Sequence, residues 1–316
     1  MSGPVELQKA VVEGSGPGPH LLITGGVHGD EFESMVAIRR LISHFEGPAR
    51  AELRGRLTLV PVVNEAAYLR GTRTADDGLD LARVCPGDPD GSVTMRTAHA
   101  LSELIGPADF YIDLHTGGSP SSVWPMSGYG LHPDPGILDR QRAMARAFNL
   151  PVIWGTTATL QGRSLSVARD AGVPAIYAEY QGSGRCDPEG TEAYFDGCLN
   201  VMGALSMIAR PAPVSRVVHV IEDDRPNSGD MGLHNQTPVT GFFEAAVPLG
   251  GRVREGDLLG TVCDHLGSAV HEMRAERSGL ILVLRTFPRV LKGDMVAVIL
   301  ETDRKETHEN RPGARS

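Results

Sequence analysis

His28 and Glu31 are the residues best suited to chemistry, three positions apart in Gly25-Gly26-Val27-His28-Gly29-Asp30-Glu31. The segment follows the apolar run Leu21-Leu22-Ile23, so a buried strand would run out here into a glycine-rich turn. An imidazole nitrogen and a carboxylate oxygen form a ligand pair that suits zinc. A catalytic zinc site needs a third protein ligand and one position left for water. His115 offers the third, in Tyr111-Ile112-Asp113-Leu114-His115-Thr116-Gly117-Gly118, again after an apolar run and before paired glycines. Asp113 lies two residues earlier, hence on the same strand face, where it can orient a ligand imidazole.

Water activated by a metal also needs a general base. Glu179 is the candidate. It follows Ile176-Tyr177-Ala178 and precedes Tyr180-Gln181-Gly182-Ser183-Gly184, which puts a carboxylate at the end of a third buried strand. Such a group is costly there unless it is paired or used; a salt-bridged or capping glutamate is the plainer alternative. An anionic substrate calls for arginine, whose planar fork grips a carboxylate with two hydrogen bonds. Arg70, Arg73 and Arg83 fall in residues 70–87, together with Asp80, which could brace Arg73 or Arg83. Arg70, Asp80 and Arg83 are the candidate substrate-binding set, with a solvated charged loop as the competing reading.

The elements that must position these groups alternate. Leu21–Thr24, Leu57–Val63, Phe110–Leu114 and Ala175–Ala178 read as short apolar strands. Glu33–Phe45, Thr94–Ile105, Ile137–Asn149 and Glu192–Ala209 read as helices. Alternation of this kind predicts an α/β domain, with helices packed on a parallel or mixed sheet and sites gathered at the carboxyl ends of strands. Arg210-Pro211-Ala212-Pro213 breaks the pattern, so residues 1–212 are expected to form that domain. Residues 213–302 carry short β-type segments with glycine turns and predict a smaller β-barrel or sandwich. Val253–Val262 and Val290–Ile299 resemble each other there. The polar tail, 303–316, reads as disordered.

Bulk composition narrows the function classes. The chain has 316 residues and a formal charge of -9, which argues against a nucleic-acid partner. Its four cysteines form no C-x-x-C and read as free thiols. The N-terminus, Met1–Ala10, shows no secretory signal. No apolar run approaches the ~20 residues that span a bilayer. The expectation is a soluble cytoplasmic protein with a small-molecule substrate; homo-oligomerisation is left open.

In this order, GGVHGDE, the arginine segment ending Asp80-Leu81-Ala82-Arg83, DLHTGG and a glutamate before a glycine-rich loop resemble the succinylglutamate desuccinylase/aspartoacylase family of zinc-carboxypeptidase-like hydrolases. The resemblance runs over nearly the whole chain, the C-terminal β-region included. It implies one zinc ion per chain on His28, Glu31 and His115, with Glu179 as the base. It further implies that Arg73 polarises the scissile carbonyl and that Arg83 grips a substrate carboxylate. The implied reaction removes an acyl group from a small, anionic N-acylated amino acid or related amide. A metallocarboxypeptidase acting on short peptides and a non-catalytic binding protein of the same fold are the alternatives. One departure bears on substrate: Ala82 stands where the family usually has asparagine. A side-chain hydrogen bond to a charged group is thereby missing, a loss of roughly 1–3 kcal/mol.

Overall fold

Leu21, Leu22 and Ile23 are all fully buried. Consecutive strand residues point to opposite faces, so burial of all three requires cover on both sides of the sheet. The computed structural model, which describes residues 5–302, supplies that cover with helices.

The strands of the first two-thirds are β1 Ala10–Glu13, β2 Gly16–Gly25, β3 Arg54–Val60, β4 Phe110–His115, β5 Ser121–Gly130, β6 Val152–Thr156, β7 Ala175–Gly182 and β8 His219–Asp223. The helices are α1 Phe32–Glu46, α2 Glu65–Arg70, α3 Val93–Ile105, α4 Pro135–Phe148, α5 Ser164–Asp170 and α6 Pro188–Ala204. Then come β9 Gly241–Ala245, β10 Arg252–Val253, β11 Leu258–Cys263, β12 Val270–Arg274, β13 Gly279–Arg285, β14 Arg289–Val290 and β15 Ala297–Leu300.

Strands β3, β2, β4 and β7 lie side by side and run parallel. Their alternating residues feed two cores. Leu21, Ile23, Ile112, Leu114, Ile176 and Ala178 pack with α1, α4 and α6. On the opposite face Leu22, Tyr111 and Ala175 pack with α3 and α5, through Ala98, Leu101, Ile105 and Ala168. The result is a three-layer α/β arrangement with a mixed sheet, the class that the strand and helix alternation predicts.

The sheet forks at β5. One edge of β5 pairs antiparallel with β7. On the other edge Met126–Gly130 pairs parallel with β6, and Ser121–Val123 pairs antiparallel with β13. Neither β5 nor β6 stands out in the sequence. β5 carries Pro125 and two glycines and reads as loop; β6 is only five residues long.

Beyond residue 212 the chain contributes to two sheets. β8 pairs with β6, and β10, β13 and β15 extend the eleven-stranded sheet. A separate four-stranded sheet has the order β12-β11-β9-β14. The two similar segments are crossings between these sheets: β10 to β11 leaves the large sheet, and β14 to β15 returns to it. β13 is buried along its length. Ile281 and Leu284 face the C-terminal core, while Leu280, Leu282 and Val283 pack with Val123, Val152 and Trp154 of the main sheet. The expected tail, 303–316, lies outside the described residues. Among the described residues no helix is long and apolar enough to cross a membrane.

Candidate metal centre and active site

Three neighbouring parallel strands bring the predicted groups together. β2 ends at Gly25 and leads directly into the His28 turn; His115 is the last residue of β4; Glu179 lies on β7 opposite His115 in register. β7 continues past Glu179 to Gly182, because β5 pairs along its other edge. The glutamate therefore sits within a strand, not at its end as the sequence suggests.

The turn is shaped by its glycines. Gly26 has φ +64°, a left-handed backbone that residues with a Cβ avoid. Gly29 packs so closely on α2 that a Cβ there would lie 2.1 Å from the carbonyl carbon of Ala67. α2 is in turn capped by Asn64, whose side chain accepts from the backbone N–H of Ala67. Sequence reading treats residues 70–87 as one long loop. The structure gives it a helical start at α2 and a short 3-10 turn at Leu81–Arg83, with Asp80 as its cap.

One nitrogen or oxygen from each of His28, Glu31 and His115 lies within 4.8 Å of the others. Nδ1 of His28 is 2.7 Å from Oε1 of Glu31, and Nδ1 of His115 is 3.1 Å from Oε2. The far nitrogens are also held. Nε2 of His28 meets Oδ1 of Asp80 at 3.1 Å, and Nε2 of His115 meets Oδ2 of Asp113 at 3.1 Å. Each imidazole therefore has a carboxylate behind it and points its second nitrogen at Glu31. That is the carboxylate–histidine arrangement which fixes the tautomer of a metal-bound imidazole. Asp113 is itself braced by Thr24, whose hydroxyl donates to Oδ1 at 2.7 Å, and by the hydroxyl of Ser164.

The electrostatics fit a cation. Burial opposes ionisation of Glu31, but the imidazoles of His28 and His115 overcome it and hold its carboxyl well below the usual range. Burial likewise opposes charge on His115, yet Asp113 and Glu31 raise its pKa well above that of free imidazole. The Glu31 carboxylate that favours a charged His115 would equally favour a metal ion on this cradle. Two imidazoles and one carboxylate form a donor set that suits zinc.

Glu179 has a different environment. Its Oε2 is buried and has no hydrogen-bond partner. Desolvation pushes its pKa up to about 8, against the pull of His115 and with the repulsion of Glu31. A carboxyl group of raised pKa beside a cation site can take and return a proton near neutrality.

Arg73 reaches the site through Asp80. Its Nε and an Nη lie 3.1 and 2.9 Å from Oδ2 of Asp80, whose Oδ1 serves His28 and the backbone N–H of Ala82. Asp80 thus braces Arg73 and not Arg83. Arg83 donates to the carbonyl of Ala82 and lies 3.7 Å from Asp230. Arg70 is not brought in: it is exposed and paired with Asp76, away from the cavity. Sequence reading also passes over Arg163. It lines the cavity, stands 3.8 Å from Asp230, and has a buried Nε without a hydrogen-bond partner. Burial, then the charge of Arg83, lowers its pKa. Its one sequence signal is weak: it follows Gly162 and opens the seven-residue α5.

These groups line one cavity of about 490 Å³ that holds His28, Glu31, Arg73, Arg83, His115, Arg163 and Glu179. A three-layer α/β protein with two imidazoles and a carboxylate gathered at adjacent strand ends has the build of a hydrolase. Residues 17–205 match the family model "Succinylglutamate desuccinylase/Aspartoacylase catalytic domain". N-alpha-acetyl-L-2,4-diaminobutyric acid deacetylase of Halomonas elongata is 33% identical over 316 residues, covering 95% of this chain and 86% of that protein. The crystal structure of a succinylglutamate desuccinylase/aspartoacylase from Rhodobacter sphaeroides superposes with a TM-score of 0.84 at 30% identity, covering 95% of this chain and 90% of that one. The product-bound ectoine utilization protein of Ruegeria pomeroyi gives 0.83 at 29% identity, covering 92% and 87%. The chain belongs to the succinylglutamate desuccinylase/aspartoacylase family.

Proposed function

We propose that this protein is a zinc-dependent amidohydrolase that removes the acyl group from a small N-acylated amino acid. The observation that carries the reading is the His28–Glu31–His115 cradle beside the unpartnered carboxyl of Glu179. The deacetylase of Halomonas elongata, by name an enzyme of this reaction type, supports it.

His28, Glu31 and His115 would hold the ion, with Asp80 and Asp113 fixing the imidazoles. A bound zinc ion would polarise the acyl carbonyl and acidify water at the same place. Glu179 takes the proton of the attacking water and returns it to the amide nitrogen as the C–N bond breaks. Arg73, held on Asp80, faces the developing oxyanion. Arg83 and Arg163, which share Asp230, seat the substrate carboxylate. Ala82 offers no side-chain donor, and the second guanidinium offsets that loss. Residues from 213–302 wall one side of the cavity, through Met231, Val283, Arg285 and Met295.

The test is amine release from a panel of N-acyl amino acids and dipeptides. The reading expects turnover of the former. Dipeptide cleavage with no deacylation would transfer the assignment to a carboxypeptidase.

A further inference from the structure

The cavity has an apolar wall that neither the cation cradle nor the arginines explain. Val123 of β5 and Val283 of β13 are paired in register. Tyr177, two residues before Glu179, lies on the same face of β7 as that glutamate. Met231 opens the 3-10 turn Met231–Leu233 and Met295 bridges Gln236 ahead of β15, both outside the residues that match the family model. Both methionines and Tyr177 pack against one buried cluster that includes Val123 and Val283. All five line the cavity.

The neighbours of the methionines fix where this wall stands. Asp230, next to Met231, lies 3.7 Å from Arg83 and 3.8 Å from Arg163. Asp294, next to Met295, lies 3.1 Å from Arg285. The wall therefore begins beside the proposed carboxylate seat.

The carboxylates that line the cavity are Glu31, Asp80, Glu179 and Asp294. Glu31 serves the histidines, Asp80 holds His28 and Arg73, and Asp294 holds Arg285 and the backbone N–H of Leu291. Glu179 is reserved for the reaction. A cationic substrate arm would meet the two methionines, and no spare carboxylate. The volume of about 490 Å³ also falls within the roughly 300–1,000 Å³ of pockets that enclose drug-sized ligands.

We infer that the substrate carries an uncharged aliphatic arm of several carbons, seated on the partly exposed Met231 and Met295, which the buried Val123 and Val283 back from beneath. This rests on the deacylase reading. The arm belongs either to the amino-acid side chain or to the acyl group; the chemistry of the wall is the same for both, and the experiment separates them.

One series is the N-acetyl derivatives of L-alanine, L-2-aminobutyrate, L-norvaline and L-norleucine. A second is acetyl-, butyryl- and hexanoyl-L-alanine. N-acetyl-L-2,4-diaminobutyrate is the cationic comparison. With zinc-loaded protein, kcat/KM should rise about fourfold per methylene along one series, the gain from burying one CH₂. The best member should exceed the cationic compound by about tenfold or more. Met231→Asp and Met295→Asp should narrow or reverse that ratio, while Met231→Ala and Met295→Ala flatten the chain-length dependence. A flat response in both series, or the diaminobutyrate derivative as best substrate, overturns the inference and leaves the deacylase reading intact. If no compound releases amine with the ion bound, the deacylase reading fails. Equilibrium binding of the same compounds to Glu179→Gln then decides the wall separately: tighter binding of the longer uncharged chains supports it, and equal or tighter binding of the cation overturns it.

Discussion

His28 and Arg73 are joined through a single carboxylate: Asp80 accepts from His28 on one oxygen and from Arg73 on the other. A proposed metal ligand and the proposed oxyanion arginine therefore share one anchor. Asp80→Ala should weaken zinc binding about 10- to 100-fold, as loss of a carboxylate behind a ligand histidine does. It should lower kcat as well, since Arg73 loses its brace. Competition with a chelator reads the first effect, and turnover at saturating zinc reads the second. A variant with unchanged affinity would show that Asp80 does not orient His28.

Metal binding should be coupled to protons. The raised pKa of His115 favours a proton there in the metal-free protein, and a bound ion would displace it. Zinc affinity should therefore climb with pH, and calorimetry in buffers of different ionisation enthalpy should show proton release at pH 7. Proton-independent binding would contradict the cradle as drawn.

The stability of the metal-free protein follows from the same groups. Glu31 is depressed, so its contribution is present above its ordinary value of 4.5 and is lost as pH falls. His115 is raised, so its contribution is complete below 6.5 and is lost as pH climbs through its folded value. Glu179 adds to that loss between 4.5 and about 8. The Tm of metal-free protein should peak in mildly acidic buffer and fall on going to pH 8, and saturating zinc should reverse the fall. A metal-free Tm that rises over that interval would contradict these assignments.

The arginines should separate cleanly. Arg83→Ala and Arg163→Ala should each raise KM roughly 10- to 100-fold, the loss of a hydrogen bond to a charged group. Arg70→Ala should stay within about twofold of wild type, because its pair with Asp76 is exposed. Steady-state kinetics on an N-acyl amino acid distinguishes the two outcomes.

Gly29→Ala should destabilise the fold by about 2–4 kcal/mol and loosen metal binding, because its Cβ would collide with the backbone of α2. Urea denaturation measures the first effect. A near-neutral result would mean that the turn can move away from Ala67.

The parts of the fold legible in the sequence are those with a strong local signal. Leu21-Leu22-Ile23 and Ile112-Asp113-Leu114 announce buried strands, and α3 ends at Gly106-Pro107 as its stop signal predicts. α6 begins at Pro188, ahead of the expected Glu192, because Asp187 caps it and proline suits its first turn. β5 is hidden by its proline and glycines; it is a strand because β7, β13 and β6 all bond to it. The break at Arg210–Pro213 lies in a stretch without helix or strand between α6 and β8, and β8, β10, β13 and β15 then rejoin the sheet that was begun before it.

The site divides in the same way. His28, Glu31, His115 and Glu179 are readable because each follows an apolar run and meets glycine. Arg163 is not, since a guanidinium becomes notable only when burial leaves its Nε without a partner. The orienting role of Asp80 toward His28 spans 52 residues and depends on how the segment after α2 folds back over the turn.

The most direct test of the central claim joins metal content to turnover in wild type and Glu179→Gln. The wild type should bind one zinc ion per chain and release amine from an N-acyl amino acid. Glu179→Gln should keep the ion and the fold while kcat drops about 10²- to 10⁴-fold, the usual share of a general base. A Glu179→Gln protein that turns over at the wild-type rate, or a wild type that hydrolyses amides with no ion on His28, Glu31 and His115, would contradict the account.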